Sequence, residues 1–237
     1  MSRRLQASGS CCLASYPSVV NLVDDIRLAL LAAADPEKAP GMQKYMKSDM
    51  PFLGVQSGPL TKAMRPILRK PISRDEALSA GRTLWDQASY REHRYAALAL
   101  LRRQALTPED EPLLRHLIVT GAWWDLVDEI ATKLVGPLRD QLDIRAWAID
   151  PDLWIRRASI ICQVSNRPKD PDLLRDTIEP NTADRTFWIR KAIGWALRDY
   201  AYLDPEWVAA FVRTHDLAPL SVREATKHLA TAQPAQG

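Results

Sequence analysis

Glycine is scarce in this chain, 9 of 237 residues, and cysteine and histidine are scarcer, at three and four. Cys11, Cys12 and Cys162 have neither a metal-ligand spacing nor the layout of a disulfide framework, and the histidines are scattered. That excludes a zinc site and implies a reduced, cytosolic protein with no metal. No apolar run approaches the roughly 18 residues that a membrane helix needs. The opening stretch, MSRRLQASGSCCLASYPSVV, has basic residues but no continuous apolar segment, so no signal peptide is expected, and residues 1–17 read as a loose extension.

What is present is ordinary globular composition, 46% hydrophobic and 26% charged, with a net charge of +3 and a pI near 8.8. A mildly basic balance permits an anionic partner without requiring one, so the placement of the charges matters more than their sum.

The apolar periodicity is helical throughout, with no convincing strand. Start signals recur: Asp150-Pro151, Asp170-Pro171, Asp204-Pro205 and Thr107-Pro108 each set a capping side chain before a proline. Ser73 with Glu76, and Ser221 with Glu224, have the capping-box spacing. Helices are expected over about 19–34, 60–69, 74–88, 90–105, 108–119, 122–135, 138–149, 151–165, 171–179, 185–201, 205–215 and 221–232. Gly136-Pro137 should stop the sixth of these. Short loops make consecutive helices antiparallel neighbours.

A repeat runs through the second half. LWIRRASI (153–160) returns 34 residues later as FWIRKAIG (187–194), and more faintly as LSVREATK (220–227); REHRYAAL (91–98) fits the same frame. Each copy sets an arginine two residues before an alanine: Arg94, Arg156, Arg190, Arg223. A period near 33 with two helices per unit describes an all-α solenoid of HEAT-like antiparallel pairs, one domain over residues 18–232 with a tail at 233–237 and a concave face. These arginines can simply bridge acids within the stack. The next position varies, reading Tyr95, Arg157, Lys191 and Glu224. With Arg198 and Lys227 it could form a cationic stripe suited to duplex DNA, or only a solvated charged face.

One constellation stands out in this frame. Trp124 and Asp128 share a helix face, and Arg157 and Trp195 occupy comparable places on later repeats. All four could project into one concavity, although tryptophans at helical spacing are commonly core and an aspartate near an arginine is commonly a structural pair. Asp125, in a first helical turn, is accounted for by the helix dipole.

YMKSDMPFLGV (45–55), AWWDLVD (122–128), LWIRRASIICQ (153–163), FWIRKAIGWALRDYA (187–201) and LAPLSVREATKHL (217–229) resemble the bacterial DNA alkylation repair glycosylases of the AlkD type, over residues 22 to 230. The resemblance implies a single-domain stack of HEAT-like pairs, and a solenoid with capped ends is expected to work as a monomer. The resemblance also implies excision of cationic alkylated bases, 3-methyladenine and 7-methylguanine, from double-stranded DNA, with no metal or other cofactor. By the same resemblance Asp128 is the catalytic aspartate, Trp124 and Trp195 are the indoles touching the lesion's deoxyribose, and Arg157 holds the aspartate and the DNA backbone. Arg198, Lys191, Arg190 and Arg156 would face DNA, with Tyr45 near the lesion strand. The stretch between Asp128 and Arg157 is shorter than the family pattern, which leaves Arg156 as a competitor for the arginine's place.

Alkylation at N3 or N7 makes the base a cationic leaving group that needs no general acid. Breaking its bond builds positive charge on the sugar, which a carboxylate stabilises electrostatically while orienting water. Indole faces would add about 1–2 kcal/mol when desolvated. Arg157 is expected to lower the Asp128 pKa and to anchor a phosphate. The rival expectations are a non-catalytic HEAT-repeat protein that binds damaged or branched DNA, and a protein-binding scaffold whose inner face would be mixed or apolar.

Overall fold

The computed structural model describes residues 19–229, so the expected extension at 1–17 and the tail at 233–237, with Cys11 and Cys12, lie outside the described residues. Within them there are helices and no strand. The elements are α1 (Val19–Ala32), α2 (Ala39–Met46), α3 (Ser57–Leu68), α4 (Arg74–Asp86), α5 (Arg91–Leu101), α6 (Glu111–Gly121), α7 (Trp124–Ile130), α8 (Ile144–Ala148), α9 (Leu153–Ile161), α10 (Pro171–Ile178), α11 (Phe187–Ala201), α12 (Pro205–Thr214) and α13 (Pro219–Ala225). They form an α-solenoid of consecutive helix pairs. The second helices α5, α7, α9, α11 and α13 make one row, each packed on the next, and their partners α4, α6, α8, α10 and α12 make the other.

The repeat motif explains the row. Its alanines, Ala96, Ala158, Ala192 and Ala225, are all fully buried, so the smallest side chain sits where one helix crosses the next. Larger residues such as Leu100, Ile155 and Ile189 fill the space between layers. Cys162 lies in this core, where burial pushes its thiol up to about 12, so it is inert. The outer row is laced from repeat to repeat, by Arg74 to the buried Asp110 and by the surface pair of Arg145 and Asp176. Exposed pairs of this kind are worth only about 0–1 kcal/mol each.

Several expected boundaries move. α2 was not expected, because PEKAPGMQKYM holds two prolines, a glycine and no apolar period. The helix expected over 122–135 ends at Ile130 and continues as a π-helical turn, Ala131–Val135, and a tight 3₁₀ turn, Gly136–Leu138. The 138–149 helix shrinks to α8. Asp152, not Asp150, caps α9, accepting from the N–H groups of Trp154 and Ile155. Asp150 instead pairs with Arg115. Ser221 and Glu224 form no capping box: α13 starts at Pro219, and both side chains reach across to α11.

The segment joining α2 to α3 is held from below by one buried acid. Glu92, in the first turn of α5, accepts the N–H groups of Leu53 (3.0 Å), Gly54 (2.9 Å) and Val55 (3.0 Å). Gly54 has φ +85°, and a Cβ there would lie 1.9 Å from the Asp35 carbonyl oxygen. Only glycine fits.

Candidate functional site

The loop between α6 and α7 turns sharply at Ala122, which has φ 40°, and Trp123 follows in extended conformation. The two adjacent indoles therefore part. Trp123 enters an aromatic layer with Trp154 and Trp188, at centroid distances of 6.3 and 5.2 Å, while Trp188 and Trp154 lie 5.5 Å apart. These three stand at the N-terminal ends of α7, α9 and α11. Trp124 stays half-buried on the α7 face it shares with Asp128.

One turn further along the row lie the charged groups. Arg157, from α9, grips Asp128 with two parallel bonds, Nε to Oδ1 at 2.8 Å and Nη2 to Oδ2 at 2.9 Å. Its Nη1 donates to the Trp188 carbonyl oxygen at 2.6 Å, and its guanidinium lies 5.8 Å from the Trp188 ring centroid. The arginine is 3% exposed, whereas the Asp128 side chain keeps 16% of its surface open. Arg157 therefore has no surface left for a phosphate. Its work is to hold the acid, and the carboxylate alone presents an edge outward. Arg156, the competitor, donates instead to Asp184 at 2.9 Å and to the carbonyl of Asp150 at 2.8 Å.

Asp128 also differs from expectation in its acidity. Burial raises the carboxyl above the ordinary aspartate value, the like charge of Asp125 adds to this, and the Arg157 fork only partly opposes them. Asp125 in turn is more than a dipole residue. Its carboxylate is buried against Arg91 of α5, Nη2 to Oδ1 at 2.5 Å and Nε to Oδ2 at 3.1 Å, and accepts the Tyr95 hydroxyl at 2.6 Å. Two acid–guanidinium forks thus stand side by side on α7, one toward α5 and one toward α9. The π-helical turn begins three residues past Asp128, and Thr132 in it donates its hydroxyl to the Asp128 carbonyl at 2.7 Å.

On α11, Trp188, Lys191, Trp195 and Arg198 fall at helical spacing along one side, with Trp195 half-buried. Lys191 and Arg198, on either side of Trp195, both meet the Glu224 carboxylate of α13, the lysine at 2.7 Å. The expected free cationic stripe is therefore a cluster organised on an acid. Arg190, half-buried, donates to the Thr186 carbonyl within its own helix, at 3.3 Å. Tyr45, on α2, is 73% exposed. Sequence reasoning missed Arg91, and it named Tyr95 and Glu224 without assigning them to the site. The variable repeat position was the available signal, since it holds Tyr95, Arg157, Lys191 and Glu224.

The arrangement offers a carboxylate fixed by a fork, partly open, on the helix face it shares with Trp124, with cations further along the same row. It can stabilise a positive charge that develops in front of it and orient a water. Among the described residues, no cluster of His, Cys, Asp and Glu could hold a metal ion, and no helix is long and apolar enough to cross a membrane.

A family model described as DNA alkylation repair enzyme matches residues 26–229. Among solved structures, one described as a predicted DNA alkylation repair enzyme from Enterococcus faecalis is similar, with a TM-score of 0.74 and 26% identity over 84% of this chain and 98% of that one. No curated protein matches.

Proposed function

The chain belongs to the DNA alkylation repair enzyme family, and on that premise we propose that it is a glycosylase hydrolysing the N-glycosidic bond of cationic alkylated purines in duplex DNA. The observation that carries this reading is the Asp128 carboxylate, forked by the buried Arg157 yet open at one edge, on the same helix face as Trp124.

With 3-methyladenine or 7-methylguanine the reaction runs as follows. The C1′–N bond breaks with its electron pair going to the base, which leaves neutral, and the sugar becomes an oxocarbenium ion. The Asp128 carboxylate faces that charge. Water adds to C1′ and gives up a proton, and the product is an abasic site. Trp124 and Trp195 present electron-rich faces to the same cation. Arg157 acts as the positioning residue: two bonds fix the carboxylate plane and the third ties it to α11. Lys191 and Arg198 meet phosphates. The protein works as a cytoplasmic monomer without metal or cofactor.

The test is mass spectrometry of the bases released from methylated duplex. Wild-type protein should release 7-methylguanine and 3-methyladenine. Asp128→Asn, isosteric and able to keep contact with Arg157, should lose about 10²–10³-fold or more in rate, the scale expected for removing one electrostatic group aimed at a transition state. Full activity in that variant would refute the assignment. Salt-sensitive DNA binding with no base released by the wild type would favour the non-catalytic binder instead.

A further inference from the structure

We propose that Glu224 is a positioning residue for DNA binding: its buried carboxylate holds Lys191 and Arg198 on either side of Trp195, ready to receive backbone phosphates. The inference rests on the reading that the inner row of helices faces duplex DNA.

Glu224 is 4% exposed and gathers three cations: Lys191 at 2.7 Å, Lys227 at 2.7 Å, and Arg198. A structural ion pair would be complete with one. Three cations on one carboxylate leave two positive charges in excess (three minus one), a surplus that an approaching anion would satisfy. Each cation also keeps donors in reserve. Lys191 spends one ammonium proton on Glu224, and Arg198 only its Nη1 group, while both retain solvent-facing surface.

The carboxylate itself is fixed. A Cβ at Gly194 would lie 2.5 Å from the Glu224 Cβ, so the bare glycine lets α13 sit directly on α11 between Lys191 and Arg198. Ser221, one turn earlier on α13, locks the same contact by donating to the Arg190 carbonyl at 2.9 Å. Burial works against the charged form, but three cations outweigh it and hold Glu224 at a pKa of about 2, so it is charged at neutral pH. Lysine and arginine lose rotamer freedom when they bind, and side chains already held lose less.

The idea is testable because simple electrostatics makes the opposite forecast. Deleting a negative charge beside DNA should tighten binding. If Glu224 positions the cations, Glu224→Gln should weaken binding of an undamaged, fluorescein-labelled duplex by roughly tenfold, from two long side chains set loose. The salt slope should also become shallower by about one. In a Lys191→Gln/Arg198→Gln background, where the amides can still bond Glu224, the sign should reverse and Glu224→Gln should tighten binding. Binding unchanged or tightened by Glu224→Gln in the otherwise wild-type protein would overturn the proposal. So would an equal loss in both backgrounds accompanied by a lowered melting temperature, which marks a purely structural role. If the wild-type chain shows no salt-sensitive affinity for duplex, the DNA-facing reading fails with it, a result distinct from either.

Discussion

A carboxylate whose two oxygens rest on one guanidinium still has lone pairs for whatever enters from the open side, and this is the condition of Asp128. Its raised pKa gives the sign of a pH dependence. The useful form is the anion, and burial favours the neutral form, so activity should fall on acidification at a pH above an ordinary aspartate titration near 3.9. Arg157 opposes that rise, so Arg157→Met should move the acid limb of the pH–rate profile to still higher pH, and an unmoved limb would show that the pair is not electrostatically coupled to the reaction. The aspartate and its arginine were legible in the sequence because a helix face and a repeat frame placed them. Asp125 was not. A charge in a first helical turn has a sufficient local reason, and only the packing of α5 on α7 reveals that Arg91 and Tyr95 close over it.

At the scale of elements, the row of second helices is stitched by polar links that follow the repeat: Arg91 to Asp125, Arg157 to Asp128 and to the Trp188 carbonyl, and Lys191 to Glu224. The repeat itself was readable from its arginine and alanine spacing, and the alanines are buried accordingly. The first arginine serves the stack in two of the units: Arg94 donates to the Thr120 carbonyl and lies over Trp85, and Arg156 meets Asp184. Unreadable was α2, whose own pattern is weak and which sits between Asp35 and Leu53, joined by the Asp35 N–H to the Leu53 carbonyl at 2.9 Å. That junction makes Gly54→Ala an element-scale test. The left-handed φ and the clash with the Asp35 carbonyl should cost at least about 1–3 kcal/mol, read from urea unfolding, with a near-neutral result contradicting the geometry. The α11–α13 contact has a pH signature. Glu224, ordinarily near 4.5 and held here at about 2, stabilises the fold above the unfolded value, and that contribution disappears as pH falls from 4.5 toward 2. Melting temperatures of the wild type and Glu224→Gln should therefore converge across that window and separate above it.

For the molecule as a whole, the stacked pairs place the acid, the indoles and the cations on successive helices of one row, α7, α9 and α11. An enzyme that recognises a base by swallowing it needs a snug pocket. On the proposed mechanism, the open edge of Asp128 reads the charge that develops on the sugar, and the reaction depends on the lesion to leave readily. Selectivity should then follow leaving-group charge more than base shape. Supplied with duplexes bearing 7-methylguanine, 3-methyladenine, uracil or 8-oxoguanine, the protein should release the first two and leave the neutral pair essentially untouched. Asp128→Asn should slow both cationic lesions by a similar factor, because the group removed faces the sugar they share. Release of uracil at a rate comparable to 7-methylguanine would mean that something in the site protonates or grips the leaving base. The Asp128–Arg157 fork, a carboxylate held by a guanidinium, could not then by itself be the centre of the reaction.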